Sequence, residues 1–379
     1  MDLHLANARL VRPDGVVEGD LFVRDCIVAA DNRVAAEEIL VDCEGDFILP
    51  GLIDLHTDNV EHHARPRPGV RWPSMLAAVL AHDWQLIGSG ITTVFDALSL
   101  GDYDNAGART AMLDGIIAAL ERARTAGLLK ADHYLHFRCE LSDEALMPLV
   151  ERHIDDTSLR LASLMDHTPG QRQWHDLAIF RRFRGQKSGR VWSDEEFARY
   201  VAERRAHQRT LVPPSRARIG ALCDARHIAL ASHDDTTIAD VEESCHNGIT
   251  IAEFPTTVVA ARRARELGMK IIMGSPNIML GGSHSGNVSA MALAREGLLD
   301  ILTSDYVPGS LLHAAFALAA EGFDLAEAVA MVTANPADLL GFTDRGRLEP
   351  GQRADLLRVR LVEGVPVIRN VWIAGRQCL

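Results

Sequence analysis

The chain has 379 residues and a formal net charge of −13 at neutral pH. Its length fits one α/β barrel of about 250 residues plus a smaller appendage, and its acidity argues against general nucleic-acid binding. The six cysteines form no CxxC pair, and no apolar run is long enough to cross a membrane. We therefore expect a protein of the reducing cytoplasm, without a nucleic-acid or membrane partner.

Both ends of the chain read as short strands separated by turns. Residues 1–48 contain apolar runs that flank a turn at Pro13-Asp14-Gly15, and residues 346–379 repeat this texture. Since chain termini commonly lie close together, we predict one small β-sandwich domain built from both ends. Two independent β extensions are the alternative.

Residues 49–345 alternate between strand-like and helix-like segments. The strand-like runs are FILPGLIDLHTD, GITTVFDAL, HYLHFRCE, LRLASLMDH, IALASHDD, GITIAEFPT, KIIMGSPN and LLDILTSDY. Eight strands alternating with helices predict parallel βα units closed into a (β/α)₈ TIM-type barrel. No GxGxxG motif follows an early strand, which removes the main argument for an open dinucleotide-binding sheet.

Residues 171–210 do not fit this repeat and form an insertion after the fourth predicted strand. The sequence SDEE at 193–196 is typical of a helix start, with a capping serine and an acidic first turn. Insertions at this end of a barrel often act as lids, but a solvated helical decoration fits the composition equally well.

Metal-ligand side chains stand where five of the predicted strands end. They are His56, Asp58, Glu140, His167, His233 and Asp305. Barrel active sites are built at the carboxyl ends of the strands, so these side chains are expected to meet. His56 and Asp58 are two residues apart on one strand and point the same way.

This set predicts two divalent ions, with zinc favoured and manganese or iron also suited to imidazole and carboxylate ligands. The first ion would lie among His56, Asp58 and Asp305, and the second between His167 and His233, with Glu140 as the bridge. Asp305 would also accept the proton of the attacking water. Neighbouring carboxylates either orient the histidines or cap helices: Asp166, Asp234 and Asp235.

Three groups of polar residues follow the barrel strands closely and predict a phosphate-rich small substrate. They are Arg65, Arg67 and Arg71 after the first strand, Gln171 and Arg172 after the fourth, and Ser283, His284 and Asn287 after the seventh. Arginine forks and small polar loops are well suited to phosphate oxygens.

The sequence resembles the amidohydrolase superfamily through LPGLIDLHTD and the closing GxLxPGxxADLL from Gly346 to Leu357. Within it, the chain resembles the ribose-triphosphate diphosphatases of phosphonate utilisation. The motifs that carry this closer resemblance are HTDN (56–59), PRPGVRWP (66–73), SLMDHTPGQRQ (163–173), ASHDD (231–235), AEFPTT (252–257), GGSHSGN (281–287) and LTSDY (302–306).

The resemblance implies that water splits alpha-D-ribose 1-methylphosphonate 5-triphosphate into pyrophosphate and the 5-phosphate. The chain departs from most superfamily members at Asp58, where a second histidine is usual, and at Glu140, where many have a carboxylated lysine. Both departures make the metal site more anionic.

Two other functions use the same scaffold. A hydrolase of cyclic amides or a deaminase would share fold and metals, but would not need the arginine clusters. A non-catalytic scaffold would be expected to lose its ligands, and all six are present. A homo-oligomer is compatible with the sequence.

Overall fold

A computed structural model describes residues 2–30, 38–67, 69–101, 109–188, 191–283 and 286–379. In chain order the strands are β1 (Leu3–Arg12), β2 (Gly15–Arg24), β3 (Ile27–Val28), β4 (Ile39–Asp42), β5 (Phe47–Pro50), β6 (Leu52–Thr57), β7 (Ile91–Leu100), β8 (Asp132–Glu140), β9 (Leu159–Met165), β10 (Ala229–His233), β11 (Ile251–Glu253), β12 (Lys270–Gly274), β13 (Ile301–Thr303), β14 (Leu356–Val362), β15 (Val365–Ile373) and β16 (Arg376–Gln377).

The helices lie mainly between the strands of the central region. They are α1 (Asn59–Ala64), α2 (Met75–Gly88), α3 (Thr110–Thr125), α4 (Leu146–His153), α5 (Leu177–Ser188), α6 (Asp194–Asp224), α7 (Ile238–His246), α8 (Val258–Glu266), α9 (Ser275–Met279), α10 (Ala290–Arg295), α11 (Ser310–Ala320), α12 (Leu325–Ala330) and α13 (Ala334–Leu339). Among the described residues, no helix is long and apolar enough to cross a membrane.

The two termini form one mixed sheet, which confirms the predicted β domain. Its order is β16-β15-β14-β5-β1-β2-β3, with β4 beside β1. Strand β5 joins the ends because it pairs parallel with β1 and antiparallel with β14. The sheet buries its own apolar cluster, which includes Leu5, Leu10, Ile48, Leu356 and Trp372.

The predicted strand FILPGLIDLHTD divides between the two sheets at Gly51. Strand β5 belongs to the terminal sheet and β6 begins the barrel. A Cβ at Gly51 would overlap the side chain of Thr92. The chain can therefore pass this close to β7 only with a glycine at the junction.

Strands β6 to β13 form the second sheet in chain order, and every neighbouring pair in it is parallel. The circle closes at the carboxyl ends of its first and last strands. There Asp305 N donates to His56 O at 2.9 Å, and Asp58 N donates to Asp305 O at 3.1 Å. The predicted (β/α)₈ barrel is confirmed, and three candidate ligands lie on its closing seam.

The barrel interior changes character along its axis. Its lower part is filled with apolar side chains, among them Ile53, Phe95, Leu161, Ile251 and Ile272. Towards the carboxyl ends the buried interior becomes polar, because the strands carry buried polar side chains there, among them His56, His136, Glu140, His233 and Glu253. Burying so many polar groups is unfavourable unless each one finds a partner, so their contacts define the site.

Residues 171–224 contain a 3₁₀ turn at Arg172–Trp174 followed by α5 and α6. The helix start predicted at Ser193 is present, since Ser193 Oγ accepts from Glu196 N at 3.1 Å and Glu196 Oε2 accepts from Ser193 N at 3.0 Å. Helix α6 continues beyond residue 210 through Pro213 and Pro214. Phe183 of α5 packs on Trp174, with ring centroids 4.7 Å apart.

Candidate active site

Three barrel strands end in a residue with left-handed backbone geometry. The φ angles are +59° at Asp234, +54° at Phe254 and +54° at Asp305. This geometry is unfavourable for residues other than glycine, and it costs least for Asn and Asp. It turns the chain sharply at the barrel mouth and places Asp234 and Asp305 among the lining residues of the cavity there.

Glu253, at the end of β11, holds two histidines. Its Oε1 accepts from His56 Nδ1 at 2.6 Å, and its Oε2 accepts from His233 Nδ1 at 2.6 Å and from Ser163 Oγ at 2.8 Å. Burial alone would raise the pKa of Glu253, but the adjacent histidines lower it well below the usual value. The carboxylate therefore fixes the tautomer of both rings and leaves their Nε2 atoms available to a metal.

His167 is oriented in the same manner by Glu140. Its Nδ1 donates to Glu140 Oε2 at 2.6 Å, while Ser142 Oγ donates to Oε1 of the same carboxylate at 2.7 Å. Burial lowers the pKa of His167, but the charge of Glu140 and contacts with Asp234 outweigh it and raise the pKa to about 10. Both oxygens of Glu140 are thus engaged within the protein.

Asp234 completes a group with metal-ligand geometry. Its Oδ2 lies 3.5 Å from His233 Nε2 and 3.7 Å from His167 Nε2. One ligand atom from each of these three residues lies within 4.8 Å of the others. Asp166 and Asp235 contact other residues: Gln208 donates to Asp166, and Arg172 pairs with Asp235. Of the three acidic neighbours, Asp234 faces the histidines.

His56 Nε2 and Asp58 Oδ1 are buried and have no hydrogen-bond partner among the described residues. Burial raises the pKa of Asp58, but Arg138 and Arg109 outweigh it and lower the pKa. Burial raises the pKa of Asp305. Buried donor atoms without a partner carry a desolvation penalty, which metal coordination would remove. The residues present therefore fit a divalent ion.

The cavity at this mouth has a volume of about 370 Å³. Three of the six ligands predicted from the sequence line it: Asp58, His233 and Asp305. His56 lies beneath them in the barrel, and His167 contacts the lining residue Asp234. Glu140 contacts His167 and Ser142.

The predicted substrate residues are distributed differently. Ser283 and Asn287 line the cavity, and Gln173 lines it where Gln171 was predicted. Arg172 is buried against Asp235 and lies 3.4 Å from Glu243, because a buried guanidinium requires paired carboxylates. Residues outside the cavity lining are Arg65, Arg67 and Arg71. His284 lies outside the described residues.

The lining includes two arginines and several aromatic residues that were not predicted as site residues, and four of these residues bear on the chemistry. They are Arg109, Arg138, Trp174 and Phe183. Arg138 stands two residues before Glu140 and so lies on the same face of β8, a signal that the alternation of strand side chains supplies. Glu253 was missed in the same way, although it ends the sixth barrel strand.

A second buried cluster lies between α2, β7 and β8. Asp96 accepts from His82 Nε2 and from His133 Nδ1, each at 2.8 Å, and His133 Nε2 lies 3.2 Å from Asp83. The side-chain atoms of this cluster that could bind a metal hydrogen-bond to one another instead. Burial lowers the pKa of His133, but Asp96 and Asp83 outweigh it and raise the pKa to about 9. We interpret this cluster as a structural ion pair.

We expect Asp96→Asn to lower the free energy of unfolding by about 3 kcal/mol at pH 6, because it removes one of the two carboxylates that pair with the buried His133 imidazolium. The pKa of His133 is raised from 6.5 to about 9. The contribution of the protonated His133 to the free energy of unfolding is therefore complete below pH 6.5 and is lost as pH rises through about 9. Urea denaturation should show that the difference in free energy of unfolding between Asp96→Asn and wild type is smaller at about pH 10 than at pH 6. The same difference at both pH values would exclude the charged pair.

Comparison with known proteins gives matches along the whole chain. A sequence profile of the amidohydrolase family matches residues 227–377. Alpha-D-ribose 1-methylphosphonate 5-triphosphate diphosphatase from Escherichia coli (strain K12) is 44% identical over 376 residues, which cover 98% of this chain and 98% of that protein.

Solved structures share the fold. An amidohydrolase crystal structure matches with a TM-score of 0.67 and 16% identity, covering 100% of this chain and 99% of that one. N-isopropylammelide isopropylaminohydrolase from Burkholderia multivorans matches with a TM-score of 0.64 and 16% identity, covering 100% and 98%. The chain therefore belongs to the amidohydrolase superfamily and, within it, to the family of alpha-D-ribose 1-methylphosphonate 5-triphosphate diphosphatases.

Proposed function

We propose that the chain hydrolyses alpha-D-ribose 1-methylphosphonate 5-triphosphate to the 5-phosphate and pyrophosphate. One observation carries the proposal: two arginines share a cavity with the metal-type ligands. The name of the Escherichia coli relative supports the same substrate. A strongly anionic substrate needs both kinds of group, whereas a neutral cyclic amide needs only the metal centre.

We propose two zinc ions as the resident metals, since catalytic zinc sites commonly have three imidazole or carboxylate ligands from the protein. His56, Asp58 and Asp305 would hold one ion, and His167, His233 and Asp234 the other. In this assignment Asp234 takes the place predicted for Glu140, which orients His167 instead. When bound, such ions lower the pKa of a coordinated water and neutralise negative charge on the oxygens of the attacked phosphoryl group.

The chain's own residues supply the remaining steps. Asp305 is half-buried, and this burial raises its pKa, so it is suited to take the proton of the attacking water. Arg138 and Arg109 stand 3.4 Å from Asp58 and offset its negative charge. The adjacent rings of Trp174 and Phe183 form an apolar part of the lining.

We also propose a cytoplasmic location for this reaction. All six cysteines are free thiols. Free thiols are typical of a reducing compartment, where disulfides are rare. A phosphorylated metabolite would also be retained in the cytoplasm.

A substrate panel tests the proposed reaction against the alternatives on the same fold. The purified, metal-loaded enzyme should hydrolyse the ribose triphosphate with a kcat/KM at least about a thousandfold above that for hydantoin or adenine. The kcat/KM for ATP, measured beside them, tests how far hydrolysis depends on the methylphosphonate group of the ribose. Faster ring opening of hydantoin or deamination of adenine would replace the diphosphatase proposal.

A further inference from the structure

We propose that Arg109 and Arg138 form the subsite for the leaving pyrophosphate, an inference that rests on the proposed function. Among the described residues that line the cavity, these two are the only lysine or arginine side chains. The other arginines predicted to hold phosphate lie outside the lining, and one of them, Arg172, is paired with Asp235 and Glu243.

Arg138 is anchored beside the metal-type ligands. It projects from β8, its side chain is 13% exposed, and its Nη1 lies 3.4 Å from Asp58 Oδ2. Its Nε is buried and has no hydrogen-bond partner among the described residues. A guanidinium has five N–H donors, so the single long contact with Asp58 leaves donors that an anionic ligand in the cavity can use.

Arg109 places a second guanidinium beside the same carboxylate of Asp58. Its Nη2 lies 3.4 Å from the same oxygen of Asp58, and its Nε is held by Glu61 of α1. Glu61 is not part of the cavity lining, so this anchor fixes the guanidinium from behind. The two guanidiniums therefore lie side by side at Asp58, and both residues line the cavity.

Two adjacent guanidiniums match the charge of two linked phosphates. Negative charge develops on the leaving group as the bridging P–O bond breaks, and preorganised cations stabilise it most at that point. Apart from the metal-type ligands, the rest of the lining offers neutral groups, including Trp174, Asn277 and Asn287. These suit a ribose ring and its hydroxyls better than a diphosphate.

Binding of inorganic pyrophosphate, measured by calorimetry on metal-loaded protein, tests this subsite without turnover. We expect Arg109→Ala and Arg138→Ala each to weaken pyrophosphate binding by roughly tenfold or more, while metal content stays the same. Lysine at either position should restore only part of the affinity, since a point charge cannot reproduce the fork. Arg295→Ala removes an exposed arginine paired with Glu321 and should change the affinity by less than about twofold.

Methylphosphonate serves as the second probe, because it represents the other anionic end of the substrate. Its affinity should stay within about twofold of wild type in the arginine variants. Unchanged pyrophosphate affinity, or a loss confined to methylphosphonate, would overturn the assignment. If Arg138→Ala fails to fold, Arg138→Lys and Arg109→Ala decide it. If wild-type protein does not hydrolyse the ribose triphosphate, the proposed function is rejected, but the pyrophosphate-binding result can still be interpreted.

Discussion

Replacing Asp305 with asparagine is expected to reduce kcat by about a thousandfold, the range in which a proton acceptor contributes to catalysis. Asp305 ends the eighth barrel strand, and its side chain lines the cavity beside Asp58. The substitution removes a metal ligand and the proposed base together. Asparagine has nearly the same size and tolerates the φ of +54° at this position, so the barrel should still fold.

The measurement is steady-state turnover of the ribose triphosphate, with metal content and circular dichroism recorded on the same preparation. Asp338→Asn is the matched control, because Asp338 pairs with Arg347 at the surface, at 2.6 Å. Its kcat should stay within about twofold of wild type. Wild-type turnover of Asp305→Asn at saturating metal would remove Asp305 from the catalytic centre.

Glu253→Gln is expected to weaken metal binding by about 10–100-fold. Glu253 accepts from Nδ1 of both His56 and His233. A neutral amide has one accepting oxygen, so one of the two rings loses the partner that fixes its tautomer. Turnover at limiting metal should fall accordingly, and excess metal should restore much of it, because the residues that contact the metal remain present.

Rescue by metal distinguishes this positioning role from that of Asp305, whose replacement excess metal should not repair. Glu321→Gln provides the control, since it changes an exposed carboxylate paired with Arg295. If Glu253→Gln binds metal as tightly as wild type, the two histidines are held by other contacts. A thermal unfolding curve should accompany the titration, because Glu253 is fully buried.

Much of the fold could be predicted from the sequence because its signals are local. Eight apolar runs alternating with helices predict the barrel, and strand-rich termini predict the second sheet; both are confirmed. The division at Gly51 could not be predicted, since it depends on the close approach of Thr92 from another strand.

The candidate site was only partly predictable, for a different physical reason. A strand end tells where His56 or Asp305 lies, but not which side chain engages it. The roles of Glu140 and Asp234 depend on left-handed backbone geometry at Asp234 and on the hydrogen bonds of His167. Arg172 illustrates the same limit, because its direction is set by Asp235 and Glu243, distant in sequence.

Phosphorus NMR on metal-stripped and metal-reconstituted enzyme tests the central claim, that a divalent-metal centre in this barrel mouth splits the ribose triphosphate into two products. After reconstitution, pyrophosphate and the ribose 5-phosphate should appear in equal amounts from the first time point, with no early orthophosphate. The stripped protein should leave the triphosphate intact. Orthophosphate as the sole early product, or full activity after complete removal of metal, would contradict the account.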